Sequence, residues 1–154
     1  MKFTKFAKSL APDGGAICEC IGQKWLVSDS VAMCIPARVR CVTGLMSGEM
    51  PDELVDFIFR DEYDTLEIAV LSKAVMPDPY GKIKDCIRVY VNQSGTLTLP
   101  ISNDDWSLIE DCDSCDIAVY ADPDDPCVTH RALFVYNAIS GKIEGIISPC
   151  EYKE

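Results

Sequence analysis

Short turns between apolar segments are the feature that most limits what this chain can fold into. The tetrapeptide NQSG (92–95) joins the apolar segments 86–91 and 96–101, and AISG (138–141) joins a similar pair further along. Turn residues between runs of β-branched and aromatic side chains are typical of β-hairpins. A parallel crossover needs a dozen or more residues, so these links cannot carry one. The sequence therefore predicts a mainly antiparallel sheet.

Three segments with helical character precede groups of strands. Phe3, Phe6 and Leu10 recur at the spacing of an amphipathic helix. Ser102 and Asp105 resemble a capping box, with Asp in place of Glu. The predicted elements, in chain order, are helix 3–10, strands 16–21, 24–28 and 31–36, helix 51–60, strands 66–75, 86–91 and 96–101, helix 103–112, and strands 116–121, 131–137 and 142–147.

These elements predict a single α+β domain over residues 1–154, with three short helices on one face of a mainly antiparallel sheet. The order helix, three strands occurs three times, and VYVNQSGTL is similar to VYNAISGKI about 46 residues later. Repeated helix–three-strand units would explain this, and chance similarity between common hairpins explains it equally well. The expected core is Trp25, Leu54, Ile58, Val89, Val91, Trp106, Ile109, Val119 and Phe134.

Charge is distributed unevenly along the chain, whose formal net charge is −11. Residues 1–40 contain six basic and three acidic side chains, whereas residues 89–130 contain nine acidic side chains and no Lys or Arg. Such a field repels nucleic acid and anionic membranes and attracts a basic protein surface. Solubility alone explains the same pattern equally well.

The cysteines and the N-terminal segment bear on the cellular compartment. The chain contains nine Cys, an odd number, and its first segment has lysines spread among the apolar residues. A secretory signal needs an uninterrupted apolar segment, and no run approaches the ~20 residues that span a bilayer. We therefore expect a cytoplasmic protein whose thiols are reduced.

One spacing is typical of a zinc site. Cys112-x-x-Cys115 is followed by Cys127-x-x-His130, a Cys₃His pattern. However, a strand over 116–121 would separate the two pairs by roughly 20 Å, at ~3.3 Å per residue. We therefore expect no cofactor, with a zinc-stabilised module as an alternative.

Catalytic signals are weak. Cys127 and His130 could form a nucleophile–base pair, but no oxyanion donors are evident beside them. The chain has no glycine-rich phosphate loop, nucleophile elbow or dinucleotide fingerprint. The sequence therefore predicts a protein that is not an enzyme.

The leading hypothesis is a non-catalytic binding protein whose acidic surface engages a basic partner. A narrower form is a nucleic-acid mimic that inhibits a nucleic-acid-binding protein, as small phage-encoded inhibitors do. This form requires the acidic ridges of the second and third helices to lie side by side, like the charge rows of a duplex.

The alternative to both is a clamp-like or scaffold subunit that self-associates, its basic first helix meeting an acidic ridge of the next copy. The candidate partner-binding residues are Asp52, Glu53, Asp56, Asp61, Glu62, Asp104, Asp105, Glu110, Asp111, Asp122, Asp124 and Asp125.

Overall fold

The structure, a computed structural model, describes residues 1–10, 15–20, 22–39, 46–48, 50, 52–60, 62–76, 80–82 and 85–152. Within these ranges the chain forms ten strands and three helices. In chain order they are α1 (Phe3–Leu10), β1 (Ala16–Cys20), β2 (Gln23–Val27), β3 (Val31–Cys34), β4 (Met46–Ser47), α2 (Asp52–Phe59), β5 (Thr65–Val75), β6 (Ile87–Asn92), β7 (Thr98–Ser102), α3 (Asn103–Trp106), β8 (Cys115–Ala121), β9 (Thr129–Tyr136) and β10 (Ile143–Ile147).

The strands form one sheet in the order β4-β1-β2-β3-β10-β9-β8-β5-β6-β7. Among the described strands, every pairing is antiparallel except that of β1 with the two-residue β4. The prediction of an α+β fold dominated by antiparallel sheet is therefore confirmed. In the part of the chain that is described, no helix has the length and apolar character needed to cross a membrane.

The helices lie on both faces of the sheet, so the prediction of helices on one face is wrong. On one face, Phe3 and Phe6 of α1 belong to a buried cluster that includes Leu133. On the other face, Leu54 of α2 belongs to a cluster that includes Phe134, the next residue along β9. Successive side chains of a strand point to opposite faces. The centre of the sheet is apolar on both faces, and both must therefore be covered.

The third helix is shorter than predicted, because α3 ends at Trp106 rather than at residue 112. The following backbone bonds join residues three apart, from Leu108 N–H to Asp105 C=O (3.1 Å) and from Ile109 N–H to Trp106 C=O (2.9 Å). The Ser107 hydroxyl also donates to the Asp104 carbonyl at 2.6 Å. Ser and Asp side chains compete with the helical backbone in this way, which explains the early end of the helix.

The predicted core is largely in place. Trp25, Leu54, Val89, Ile109, Val119 and Phe134 are buried, while Ile58, Val91 and Trp106 are partly buried. Ile58 lies on α2, Trp106 lies on α3, and Val91 lies on β6, next to the outermost strand of the sheet.

Strand β5 joins the middle of the sheet to its outer strands. Residues 65–68 pair with β8, whereas residues 69–75 pair with β6. Leu66, Ile68 and Val70 alternate along one face of β5 and are 45%, 59% and 57% exposed. The outer strands therefore carry an apolar face that is uncovered among the described residues, unlike the middle of the sheet.

Candidate acidic interface

The β8–β9 loop holds three carboxylates in an ordered turn. Asp122 Oδ1 accepts hydrogen bonds from the backbone N–H groups of Asp124 (2.8 Å) and Asp125 (3.2 Å). Asp125 Oδ1 accepts from the Cys127 N–H at 3.0 Å, and Val128 N–H donates to the Asp125 carbonyl at 2.9 Å. This Asx-type bonding fixes the loop backbone and leaves the Asp124 and Asp125 side chains exposed.

His130 anchors the base of this loop. Its Nε2 lies 2.9 Å from Asp122 Oδ2, and its ring stacks on Tyr120 with centroids 4.9 Å apart. The bond from His130 lowers the pKa of Asp122, and the loop N–H groups lower it further. The Asp122 carboxylate therefore stays ionised at neutral pH and accepts from both the imidazole and the backbone.

Helix α2 brings further acidic groups to the same ring. The Phe57 ring packs edge-on against Tyr120, with centroids 4.9 Å apart, and the Arg60 guanidinium lies 3.6 Å from the Tyr120 centroid. Burial raises the pKa of Tyr120, and the nearby charge of Asp56 raises it further. Asp64, just before β5, accepts a hydrogen bond from the backbone N–H at position 121 at 2.6 Å.

These contacts link five carboxylates to Tyr120 or to the loop that follows β8. We call this set the Tyr120 acidic surface, formed by Asp56, Asp64, Asp122, Asp124 and Asp125. Asp56, Asp122, Asp124 and Asp125 were predicted binding residues. Asp64 was not, and no sequence signal sets it apart from the other acids between α2 and β5.

The predicted acids after β7 lie on the other face of the sheet, and Asp105, one of the candidate partner-binding residues, is half-buried. Its carboxylate accepts from the Ser102 hydroxyl (2.8 Å) and the Ser30 hydroxyl (3.2 Å), and Ser102 Oγ accepts from the Asp105 N–H (3.1 Å). Burial raises the pKa of Asp105, and the two serine bonds oppose this shift. Asp105 therefore helps to cap α3, while its neighbour Asp104 remains exposed.

Glu110 and Asp111 are exposed but paired within the chain. Lys2, just before α1, forms ion pairs with Glu110 and with Asp111, the latter at 3.3 Å. Lys5 Nζ lies 3.4 Å from the Ser107 carbonyl oxygen. The basic first helix therefore meets acidic residues of its own chain, whereas the self-association hypothesis assigned them to the next copy.

The two predicted ridges are separated by the sheet, because α2 packs on one face while Leu108 and Ile109, just after α3, pack on the other. They do not lie side by side. Asp52 and Glu62 are exposed at the two ends of the α2 region, Glu53 lies within α2, and Asp61 is outside the described residues.

The structure does not bring the four predicted zinc ligands together. Tyr120 pairs with His130 in the β8–β9 register, whereas Cys115 pairs with Val135. The five-residue offset corresponds to about 17 Å along the strands, at ~3.3 Å per residue. Cys112, before β8, receives a hydrogen bond from the Met1 amino group at 3.2 Å. Within the described ranges, no group of three or more His, Cys, Asp or Glu residues could hold a metal ion.

All eight described thiols are free; four are buried, three are half-buried and one is exposed. Burial raises the pKa of Cys34 and of Cys115 to about 12 in each case. Such thiols remain protonated at neutral pH and are poor nucleophiles. Cys127, on the β8–β9 loop, is exposed.

Two contacts at the Tyr120 acidic surface had no sequence signal. The Arg60 guanidinium and the His130 ring both contact Tyr120, although these residues are far apart in the chain. Only the folded sheet, which pairs Tyr120 with His130, brings them together.

No protein-family model matches the chain, and neither a curated protein nor a solved structure shows significant similarity to it.

Proposed function

We propose that this protein is a non-catalytic binding protein whose Tyr120 acidic surface engages a basic surface of a partner protein. The observation that carries the proposal is the hydrogen-bonded β8–β9 loop, which orders three carboxylates beside those of Asp56 and Asp64. An ordered loop loses little conformational entropy when it binds, so the entropy loss offsets little of the electrostatic attraction between its charges and a partner.

The charge around this surface supports a basic partner. Among the described groups, no ion pair neutralises Asp56 or Asp124, and the side chains of both are exposed. Lys and Arg are absent from residues 89–130, so the β8–β9 loop has no basic residue within its own segment. Exposed charges of one sign speed association with an oppositely charged partner and repel nucleic acid.

The narrower proposal is that the partner is a nucleic-acid-binding protein whose basic groove the acidic surface occupies. Mimicry of a duplex would then rest on α2 and the β8–β9 loop, because the acids near α3 face the other side of the sheet. An inhibitor of phage type would act in this way, in the cytoplasm of a host cell.

We also infer that the chain consists of repeated helix–three-strand units. Supporting this, α2 and α3 are each followed by three strands, α1 is followed by three strands and the two-residue β4, and β1–β3, β5–β7 and β8–β10 each form an antiparallel meander. The same order supports the second candidate function, a self-associating clamp-like or scaffold subunit. The mass measured by sedimentation distinguishes the two functions, because a stable ring or dimer favours the scaffold and a monomer favours the binding protein.

The test is a charge reversal that spares the loop hydrogen bonds. The double variant Asp56→Lys/Asp124→Lys changes two exposed side chains, and Glu19→Lys/Glu151→Lys is its matched control. Each reversal adds two charges, so both variants move from a net charge of −11 to −7. Wild type and both variants, immobilised, are used to capture proteins from a lysate at low and moderate salt.

We expect wild type and the control to capture the same basic protein, and the Asp56→Lys/Asp124→Lys variant to associate with it at least ~10-fold more slowly. Duplex DNA should compete for that protein if the narrower proposal holds. Equal capture by all three proteins would show that these carboxylates serve only solubility.

A further inference from the structure

A cleft of about 360 Å³ lies where the end of β3 meets the start of β10. These two strands are antiparallel, with Met33 opposite Gly145. The residues that follow β3 and those that precede β10 therefore lie at the same end of the pair. The volume is within the range of ~300–1,000 Å³ that is typical of small-molecule sites in proteins.

Two basic residues line this cleft, and each lies on a hydrogen-bonded turn. Arg38 follows β3 in a turn closed by the bond from the Val39 N–H to the Pro36 carbonyl, at 2.9 Å. Lys142 ends the β9–β10 turn, and its carbonyl accepts from the Asn137 N–H at 2.8 Å. Both basic residues are exposed, and among the described groups no ion pair neutralises either of them. Their charges are therefore available to a ligand.

The other ionisable groups of the lining do not cancel these two charges. Glu144 is the only carboxylate among the described lining residues, and its Oε2 lies 3.3 Å from the Met1 amino group. Burial raises the pKa of the Cys34 thiol to about 12, and the charge of Glu144 adds to this, so the thiol is neutral at pH 7. Exposed charges elsewhere are screened beyond a Debye length of ~8 Å at physiological ionic strength. The cleft therefore has a local excess of positive charge, although the chain has a net charge of −11.

Apolar side chains also line the cleft. Phe3 and Met33 are buried, and Ile35 and Ile143 are half-buried. Small-molecule sites commonly combine such apolar surface with a few polar groups that fix the orientation of the ligand. The lining therefore favours a ligand that has a non-polar part as well as a negative charge.

We propose that the cleft binds a small phosphate monoester with a non-polar body, whose phosphate contacts both Arg38 and Lys142. A phosphate monoester carries a charge of about −1.5 to −2 at pH 7, which matches two cations better than a carboxylate does. The Arg guanidinium can donate two parallel hydrogen bonds to phosphate oxygens, and the Lys ammonium attracts them as a point charge. The non-polar body packs on Ile35 and Ile143.

This site goes beyond the proposed function and can fail independently of it. None of the five carboxylates of the Tyr120 acidic surface lines the cleft. The Asp56→Lys/Asp124→Lys variant should therefore bind the ligand about as wild type does.

The probe is phenyl phosphate, whose binding is followed through the amide chemical shifts of isotope-labelled protein. Inorganic phosphate supplies the charge without the ring, benzyl alcohol supplies a ring without charge, and benzoate supplies a ring with a single charge. In wild type, phenyl phosphate should saturably shift amides within residues 33–38 and 140–144. It should bind at least ~10-fold more tightly than inorganic phosphate or benzyl alcohol, and at least ~3-fold more tightly than benzoate, because it combines a double charge with a ring.

The double variant Arg38→Gln/Lys142→Gln removes both cations from the cleft. Lys8→Gln/Arg131→Gln is the matched control, because these residues are also exposed and do not line the cleft. Each variant loses two positive charges, so both move from a net charge of −11 to −13. We expect the first variant to bind phenyl phosphate at least ~10-fold more weakly than wild type and the control to differ by less than ~2-fold, since hydrogen bonds between charged groups are strong and local.

Three results would overturn the proposal. The first is that phenyl phosphate produces no saturable shifts at the cleft up to ~10 mM, or produces them elsewhere. The second is that it binds no more tightly than one of the three comparison compounds. The third is equal binding to wild type and to folded Arg38→Gln/Lys142→Gln. The first two need wild type alone, so they test the proposal even if this variant fails to fold.

Discussion

The meanders β8–β9–β10 and β5–β6–β7 are neighbours in one sheet, yet they are covered differently. Residues 132–135 of β9 are all buried, with alternate side chains packed under α1 on one face and under α2 on the other. In β5, by contrast, Leu66, Ile68 and Val70 remain exposed. Stability should therefore concentrate in the middle of the sheet and be lower in the outer meander.

The strongest test of this difference is Phe134→Ala. Phe134 is 1% exposed, and its ring lies 5.9 Å from that of Phe57 and 5.5 Å from that of Tyr63. Removing a buried aromatic ring leaves a cavity and should lower the free energy of unfolding by about 3–5 kcal/mol. Urea denaturation monitored by circular dichroism measures this change. A loss below ~1 kcal/mol would show that the middle of the sheet is not the more stable region.

Alkaline pH should also act on the middle of the sheet through Cys115, at the start of β8. Burial raises the pKa of Cys115 from the ordinary value of 9.0 to about 12, so the folded state keeps a proton that the unfolded state loses. The contribution is fully present below pH 9 and is lost as pH rises towards 12. In that window this thiol should lower the free energy of unfolding by about 1.4 kcal/mol per pH unit.

Urea titrations of wild type and Cys115→Ala, at several values of pH above 9, measure this slope. The variant should lose stability less steeply than wild type as pH rises. Cys127→Ala is the control and should keep the wild-type slope, because this side chain is exposed in the folded chain as well as in the unfolded one. Parallel slopes for wild type and Cys115→Ala would contradict the prediction.

A smaller effect is expected where the outer meander joins α3. Ser102, the last residue of β7, caps α3 by accepting from the Asp105 N–H at 3.1 Å. Ser102→Ala should therefore lower the free energy of unfolding by ~1 kcal/mol. Ser114→Ala, at an exposed position before β8, is the control and should change it by less than ~0.5 kcal/mol. Equal effects in thermal denaturation would mean that the cap adds nothing to stability.

The smallest effect should be that of Ile68→Ser on β5. Because Ile68 is 59% exposed, the change should alter the free energy of unfolding by less than ~0.5 kcal/mol. It should also reduce aggregation on heating, since it interrupts an exposed apolar row. Urea denaturation and light scattering measure the two effects. A loss above ~1 kcal/mol would show that this face is covered in solution.

Much of the secondary structure could be predicted because its signals are local. Helix 3–10 agrees with α1, and the turn at 92–95 was expected from its glycine, which has φ +71°. Asn92 stabilises this turn by accepting from the Leu97 N–H at 2.8 Å. The sequence also contains a signal that both faces of the sheet are buried. The apolar runs IAVY (117–120) and ALFV (132–135) do not alternate with polar residues, as a strand with one solvent-exposed face would.

The order of the meanders and the grouping of the acids could not be predicted, because both depend on long-range pairing. Nothing in the local pattern shows that β10 pairs with β3 or that β8 pairs with β5. For the same reason, the ion pairs of Lys2 with Glu110 and Asp111 join residues more than a hundred positions apart. A count of charges along the sequence does not show that such acids are already ion-paired with a basic residue of the same chain.

The position of the last meander in the sheet has a consequence for biosynthesis. Strands β8, β9 and β10 follow β1–β7 in the chain, yet they lie between β3 and β5 in the sheet. A nascent chain that has not yet released residue 147 from the ribosome therefore holds two separate sets of strands, each with an unpaired edge. The ten-stranded sheet cannot be completed until residue 147 has emerged, and until then these edges can pair with other chains or with chaperones.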